Sequence, residues 1–165
     1  MRINRKGFML AEVIIVSVII CVVLVSLFTG INRVTKAYDL RNRYYDVNAL
    51  YMAEKANLYL IEDKSINTLI STKEPIKLKT EEYSNLYNVI NFYKSNEGSV
   101  VNIYFTPYNQ ANLETLKDKG TNQTYKDFID YLSGHLEFKG EYTYMLISEI
   151  CNSTDDCYYY GLGVK

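Results

Sequence analysis

The sequence predicts an α+β protein, with one long N-terminal helix, half of it in a membrane, lying on a small antiparallel sheet of four or five strands. Three observations predict this. Residues 8–28 form an apolar run long enough to cross a bilayer. An apolar stripe at helical spacing continues from there to residue 59. Beyond Pro75 the pattern moves toward a period of two, in segments rich in aromatic and β-branched residues. The 165 residues leave room for one domain of ordinary size and an anchor.

Among residues 8–28 only Glu12, Ser17 and Ser26 are polar. At about 1.5 Å per residue the run covers about 31 Å as a helix. Fifteen of its 21 residues are Leu, Ile, Val or Phe. At roughly 0.3 to 0.6 kcal/mol each they outweigh the roughly 2.5 to 3.5 kcal/mol cost of an acid within the membrane. Arg2, Arg5 and Lys6 precede the run, while Arg33, Lys36, Arg41 and Arg43 follow it, so the positive-inside rule is nearly tied. Ile31, Val34, Tyr38, Tyr45, Ala49, Met52, Ala56 and Tyr59 then recur every few residues and predict that the helix continues to about residue 63. Ala49, Ala53 and Ala56 would let a sheet approach closely. A free-standing amphipathic helix or coiled-coil stalk is the competing reading, although the heptads are irregular.

"EDKSINTLISTKEP" predicts a helix end and a connection, closed by Pro75. "NLYNVINFYK" and "SVVNIYF", joined by "SNEG", predict a hairpin, and "LEFKGEYTYMLISEI" a second one turning at Lys139-Gly140. "NQTYKDFIDYLSG" predicts a short helix ending at Gly134, and "YYYGLGV" a last strand.

Charge and composition narrow the function. The net charge is -1, and without the three basic residues before Gly7 the balance is 15 Lys and Arg against 19 Asp and Glu, or -4. A mildly acidic body argues against nonspecific grip on nucleic acid, which needs basic clusters. Seventeen Tyr and two Pro describe a folded body rather than a disordered tail. No catalytic constellation emerges: His135 is the only histidine, and the "GLG" of residues 161–163 sits in the tail with no helix to follow it. Glu81-Glu82 and Asp155-Asp156 are expected to be solvated. The chain is therefore expected not to be an enzyme and to carry no cofactor.

A secretory signal has a shorter apolar core followed by a small-residue cleavage site, whereas here the small residue, Gly7, comes first. The basic peptide "MRINRKG" ends in that Gly, and "FMLAE" follows, with Phe first and Glu fifth. This resembles the class III leader of type IV prepilins and pseudopilins. The resemblance implies a pilin-like fold and cleavage after Gly7 by a prepilin peptidase on the cytoplasmic side, with N-methylation of Phe8. It implies a leader at 1–7, a transmembrane half-helix at 8–29, a soluble half-helix at 30–63 and an extracytoplasmic domain at 64–165. It also implies that Glu12 pairs with the Phe8 amine of a neighbouring subunit during assembly. A subunit added out of register would leave both charges uncompensated, at a cost of a few kcal/mol.

The partners so implied are other pilin-like subunits, the peptidase, an inner-membrane assembly platform and membrane lipid. The competing reading of Glu12 is a tolerated acid close enough to the interface to reach headgroups. Met9 and Ala11 depart from residues often found in major pilins, and no Pro interrupts the membrane helix, with Thr29-Gly30 its nearest soft spot. The match covers about the first 30 residues. It identifies the system, a type IV pilus or a competence-type or type II secretion pseudopilus, better than the subunit, for which a minor pilin is the preferred reading.

Cys151 and Cys157 enclose "NSTDD". Outside the cytoplasm such a pair is expected to form a disulfide worth about 2 kcal/mol, as in many pilins, with two free thiols as the alternative. With one distant His135 the pair does not complete a zinc set. Cys21, within the membrane helix, is expected to be a small apolar filler. Two other classes of function compete with a filament subunit. One is an extracellular module binding DNA, a glycan or a protein at a filament tip, with direct DNA contact left open. The other is a single-pass anchored protein with no filament.

Overall fold

Residues Arg5–Tyr44 form helix α1, and Val47–Glu62 form helix α2. The expected single helix is thus divided at Tyr45 and Asp46, and the cause is local chemistry. Asp46 adopts an extended backbone and its carboxylate accepts from the N–H groups of Asn48 and Ala49, both at 2.9 Å, which starts a new helix. The computed structural model describes residues 5–97, 99–120, 122–138, 140, 142–153 and 156–165. Its chain divides into two compact units, Met1–Arg41 and Asn42–Lys165.

In the second unit four strands make one sheet: β1 (Ile76–Lys77), β2 (Val100–Pro107), β3 (Tyr144–Cys151) and β4 (Cys157–Val164). Their spatial order follows the sequence and every pair is antiparallel, with Phe105 opposite Ile76 and Leu146, and Leu146 opposite Leu162. Helix packs on sheet as expected, but on both faces. On one face α2 brings Ala49, Met52, Ala56 and Leu60 against Ile103, Phe105, Leu146 and Ile150. The small residues Ala49, Ala53 and Ala56 are fully buried, and the Ser148 hydroxyl donates to the Ala49 carbonyl across that close contact. Helices α3 (Ser65–Thr72) and α4 (Ser84–Glu97) complete this side with Ile66, Leu69, Leu86 and Ile90. On the other face α5 (Gln110–Leu116) and α6 (Gln123–His135) pack Leu113, Leu116, Tyr125, Phe128 and Ile129 against Tyr104, Ile147 and Tyr159. A sheet clad twice explains why "YMLISEI" lacks alternation: each of its residues is buried.

Several expectations are corrected. "NLYNVINFYK" is helical, not a strand, because Leu86 and Ile90, four apart, both enter the core. "SINTLIST" is likewise helix α3 rather than a plain connection, since Ile66 and Leu69 share one buried face. The second hairpin does not form. Leu136–Phe138 have no strand pairing, Lys139 lies outside the described residues, and β3 pairs instead with β2 and β4. The helix expected to end at Gly134 ends at His135, and the last strand is β4. Of the stripe, Ala49, Met52 and Ala56 are buried and Tyr59 is half-buried, whereas Ile31, Val34, Tyr38 and Tyr45 are exposed, and Tyr44 is buried in place of Tyr45.

Candidate functional site

In the first unit, the backbone of Gly7 and Phe8 lies within α1, while residues 1–4 of the expected leader fall outside the described residues. Glu12, four residues beyond Phe8 and so about 6 Å along the axis, is exposed. Every described Leu, Ile, Val and Phe between residues 10 and 28 is exposed as well. This is one helix long and apolar enough to cross a membrane, and none of its apolar window is buried within the chain. Cys21 lies on it, exposed, so it fills no gap in this chain's own packing.

The hydroxyls of the segment are satisfied from within. Ser17 donates to the Ile14 carbonyl at 2.8 Å, Ser26 to Val22 at 2.8 Å and Thr29 to Val25 at 3.0 Å. Glu12 cannot follow them. A carboxylate only accepts, and the N–H groups of a helix interior are already committed to the carbonyls one turn back. In a low-dielectric medium its charge therefore needs a cation or a proton from elsewhere.

The second unit has an acid in the opposite situation. Glu149, on β3, is buried, and its carboxylate accepts from the Asn102 amide at 2.6 Å, the Tyr104 hydroxyl at 3.0 Å and the Asn122 amide at 3.4 Å. Asn122 is the N-cap of α6, its carbonyl oxygen accepting from the Tyr125 N–H at 2.7 Å and the Thr124 hydroxyl at 2.7 Å. The hydroxyls of Thr124 and Tyr159 lie 2.7 Å apart. Burial, reinforced by the charge of Glu149, pushes the phenol of Tyr104 well above the usual tyrosine range. Burial does the same for Tyr125 and Tyr159. These phenols therefore remain protonated at neutral pH, and that of Tyr104 donates to the carboxylate. Close packing continues next to this cluster, where a Cβ at Gly120 would overlap the Tyr125 ring.

Cys151 and Cys157 form a disulfide that closes the β3–β4 connection, and the Asn122 amide lies 3.2 Å from the Cys157 sulfur. Glu149, Cys151 and Cys157 place ligand-type atoms within 4.8 Å of one another, but sulfurs bonded to each other offer no thiolate to a metal. His135 stacks on Tyr131 at 4.1 Å near the end of α6, and its Nδ1 lies 2.8 Å from the Tyr131 carbonyl. Gly161 and Gly163 belong to β4, opposite Ile147 and Met145, so "GLG" is strand rather than phosphate loop.

Sequence reasoning missed Glu149 as a structural centre. Its only local signal is one acid in an apolar strand, and its partners are 27 to 47 residues away in the chain. No protein-family model matches the chain, and no curated protein or solved structure matches it either.

Proposed function

We propose that the chain is a pilin-like structural subunit of a type IV pilus or of a competence-type or type II secretion pseudopilus, rather than an enzyme. It waits in the membrane with its second unit outside the cytoplasm. A prepilin peptidase cuts it after Gly7, and an assembly platform adds it to a filament through α1. The observation that carries this reading is Glu12, a charge on an exposed apolar helix, fifth after a glycine that ends a basic peptide. Cleavage would create an ammonium at Phe8, and the Glu12 carboxylate of one subunit would pair with that ammonium on the next. In hydrocarbon the pairing rewards one axial register and penalises the others. The Cys151–Cys157 disulfide supports an oxidising, extracytoplasmic location for the second unit.

Mass spectrometry of the membrane fraction tests the processing step. The expected chain begins at Phe8 with one added methyl group, and a Gly7→Leu variant keeps the full precursor mass. An intact Met1 terminus in cells that process related precursors overturns the reading. A Glu12→Ala variant is expected to insert normally but enter sheared filaments at least about tenfold less, a loss of about 1.4 kcal/mol or more in register energy. Undiminished incorporation would remove the pairing step.

A further inference from the structure

A groove of about 440 Å³ runs beside the outer edge of β2, between α4 and the turn that follows β1. The edge itself is only partly covered. β1 ends at Lys77, the Leu78 N–H makes one more bond to the Ile103 carbonyl at 2.9 Å, and the chain then turns away at Thr80–Glu82. β2 runs on past that point, so Val100, Val101 and Asn102 lie beyond the reach of β1 and line the groove. Because the Ile103 carbonyl faces the β1 side, the alternation of an antiparallel ladder puts the N–H and carbonyl of Val101 on the same open edge.

The groove has a chemical bias. Leu78, Ile90 and Val101 supply buried apolar lining, and the exposed Lys79 and Lys94 stand around it with Glu81 as the one acid of the lining, while Lys77, also in the lining, holds its ammonium 5.7 Å from the centre of the Tyr104 ring. Lys79 also lies 3.6 Å from Glu82, an exposed pair that a competing anion can displace. This positive spot sits on a unit, residues 42–165, that carries 12 Lys and Arg against 17 Asp and Glu. We infer that the groove binds an extended acidic segment of a partner protein, which adds a strand to the edge of β2 in line with β1. The open edge selects a peptide because it presents a donor and an acceptor together, which a peptide backbone complements. A phosphodiester, with no donor, does not. The lysines select acidic side chains on that peptide, and the apolar lining takes the alternate ones.

The test uses the full chain in detergent micelles and a fluorescent hexapeptide of alternating Glu and Val, followed by anisotropy. The expected result is saturable binding that weakens with added salt. The double variant Lys79→Glu, Lys94→Glu, both at exposed positions, is expected to weaken it by about tenfold or more, as is a hexapeptide of alternating Lys and Val. Methylating every backbone nitrogen of the Glu/Val peptide keeps its charge and removes its backbone donors, and is expected to cost a similar factor. Equal binding of the methylated peptide would mean charge attraction alone and would overturn strand addition. Equal or tighter binding of a thymidine hexanucleotide, or no saturable binding of the Glu/Val peptide, would overturn the peptide partner.

Discussion

Residues 10–28 of α1 and strand β3 are both almost wholly apolar, and each carries one acid, yet they resolve the same difficulty in opposite ways. Along α1 the described Leu, Ile, Val and Phe side chains are exposed, whereas β3 buries every residue from Tyr144 to Ile150. The backbone explains the contrast. A helix satisfies its own N–H and carbonyl groups and can present apolar side chains to lipid, while a strand borrows its hydrogen bonds from neighbours and takes its place inside a sheet. The two acids follow their surroundings. Glu149 finds Asn102, Tyr104 and Asn122 within its own fold, but Glu12 lies on a helix surface whose interior donors are already used. Apolar content alone therefore does not say whether a segment belongs to a protein core or to a membrane.

Substitutions that separate the two regions sharpen this contrast, and chemical denaturation of the full chain in detergent, followed by near-ultraviolet dichroism of the tyrosines, measures them. Glu149→Ala has the largest expected effect, about 3 kcal/mol of lost stability, because it strands the buried Tyr104 hydroxyl and takes an acceptor from the half-buried Asn102 and Asn122 amides. A loss below about 1 kcal/mol would mean that water, not the fold, supplies the carboxylate's partners.

Tyr104→Phe removes one hydrogen bond to that charge and is expected to cost about 2 kcal/mol at neutral pH. It also changes the alkaline limb. The native phenol is raised by burial and then by Glu149, so its contribution is complete below an unfolded-chain value of about 10 and fades as pH climbs toward the raised native value. The variant should therefore lose stability more gently above about pH 10, and an unchanged slope would place the titration elsewhere.

Asp46→Ala, which uncaps α2, should cost about 1 kcal/mol. Ile20→Ala, on the exposed stretch of α1, should change the transition of the second unit by less than about 0.5 kcal/mol. A larger change there would mean that this surface packs against the folded body.

Much of this architecture can be seen in the sequence where a pattern is local. The apolar span, the helix at Gln123–His135 and strand β4 needed only periodicity and turn residues. The break before α2 also has a visible signal, an Asp preceding the buried stripe, but the stripe's continuity from Ile31 hides it. "NLYNVINFYK" could not be decided locally, because its aromatic and β-branched residues favour a strand and only the burial of both Leu86 and Ile90 makes it a helix. The Glu149 cluster was invisible, since Asn102, Tyr104 and Asn122 meet it only once the sheet and α6 are assembled. The roles proposed for Gly7, Phe8 and Glu12 rest on their spacing in the sequence alone, and the fold of the second unit adds nothing to them.

The short break before α2 is also where the chain meets the rim of the sheet. The Tyr44 ring sits 5.1 Å from Phe128 and 5.0 Å from Tyr131, and the Asp46 N–H reaches the Tyr159 carbonyl of β4 at 3.4 Å. A pull arriving through Tyr44 is thus handed to a rosette of aromatic rings and to the last strand before it reaches the interior. That strand is stapled to its neighbour at Cys151–Cys157, so the margin that receives the chain is held by a covalent bond as well as by its ladder of hydrogen bonds.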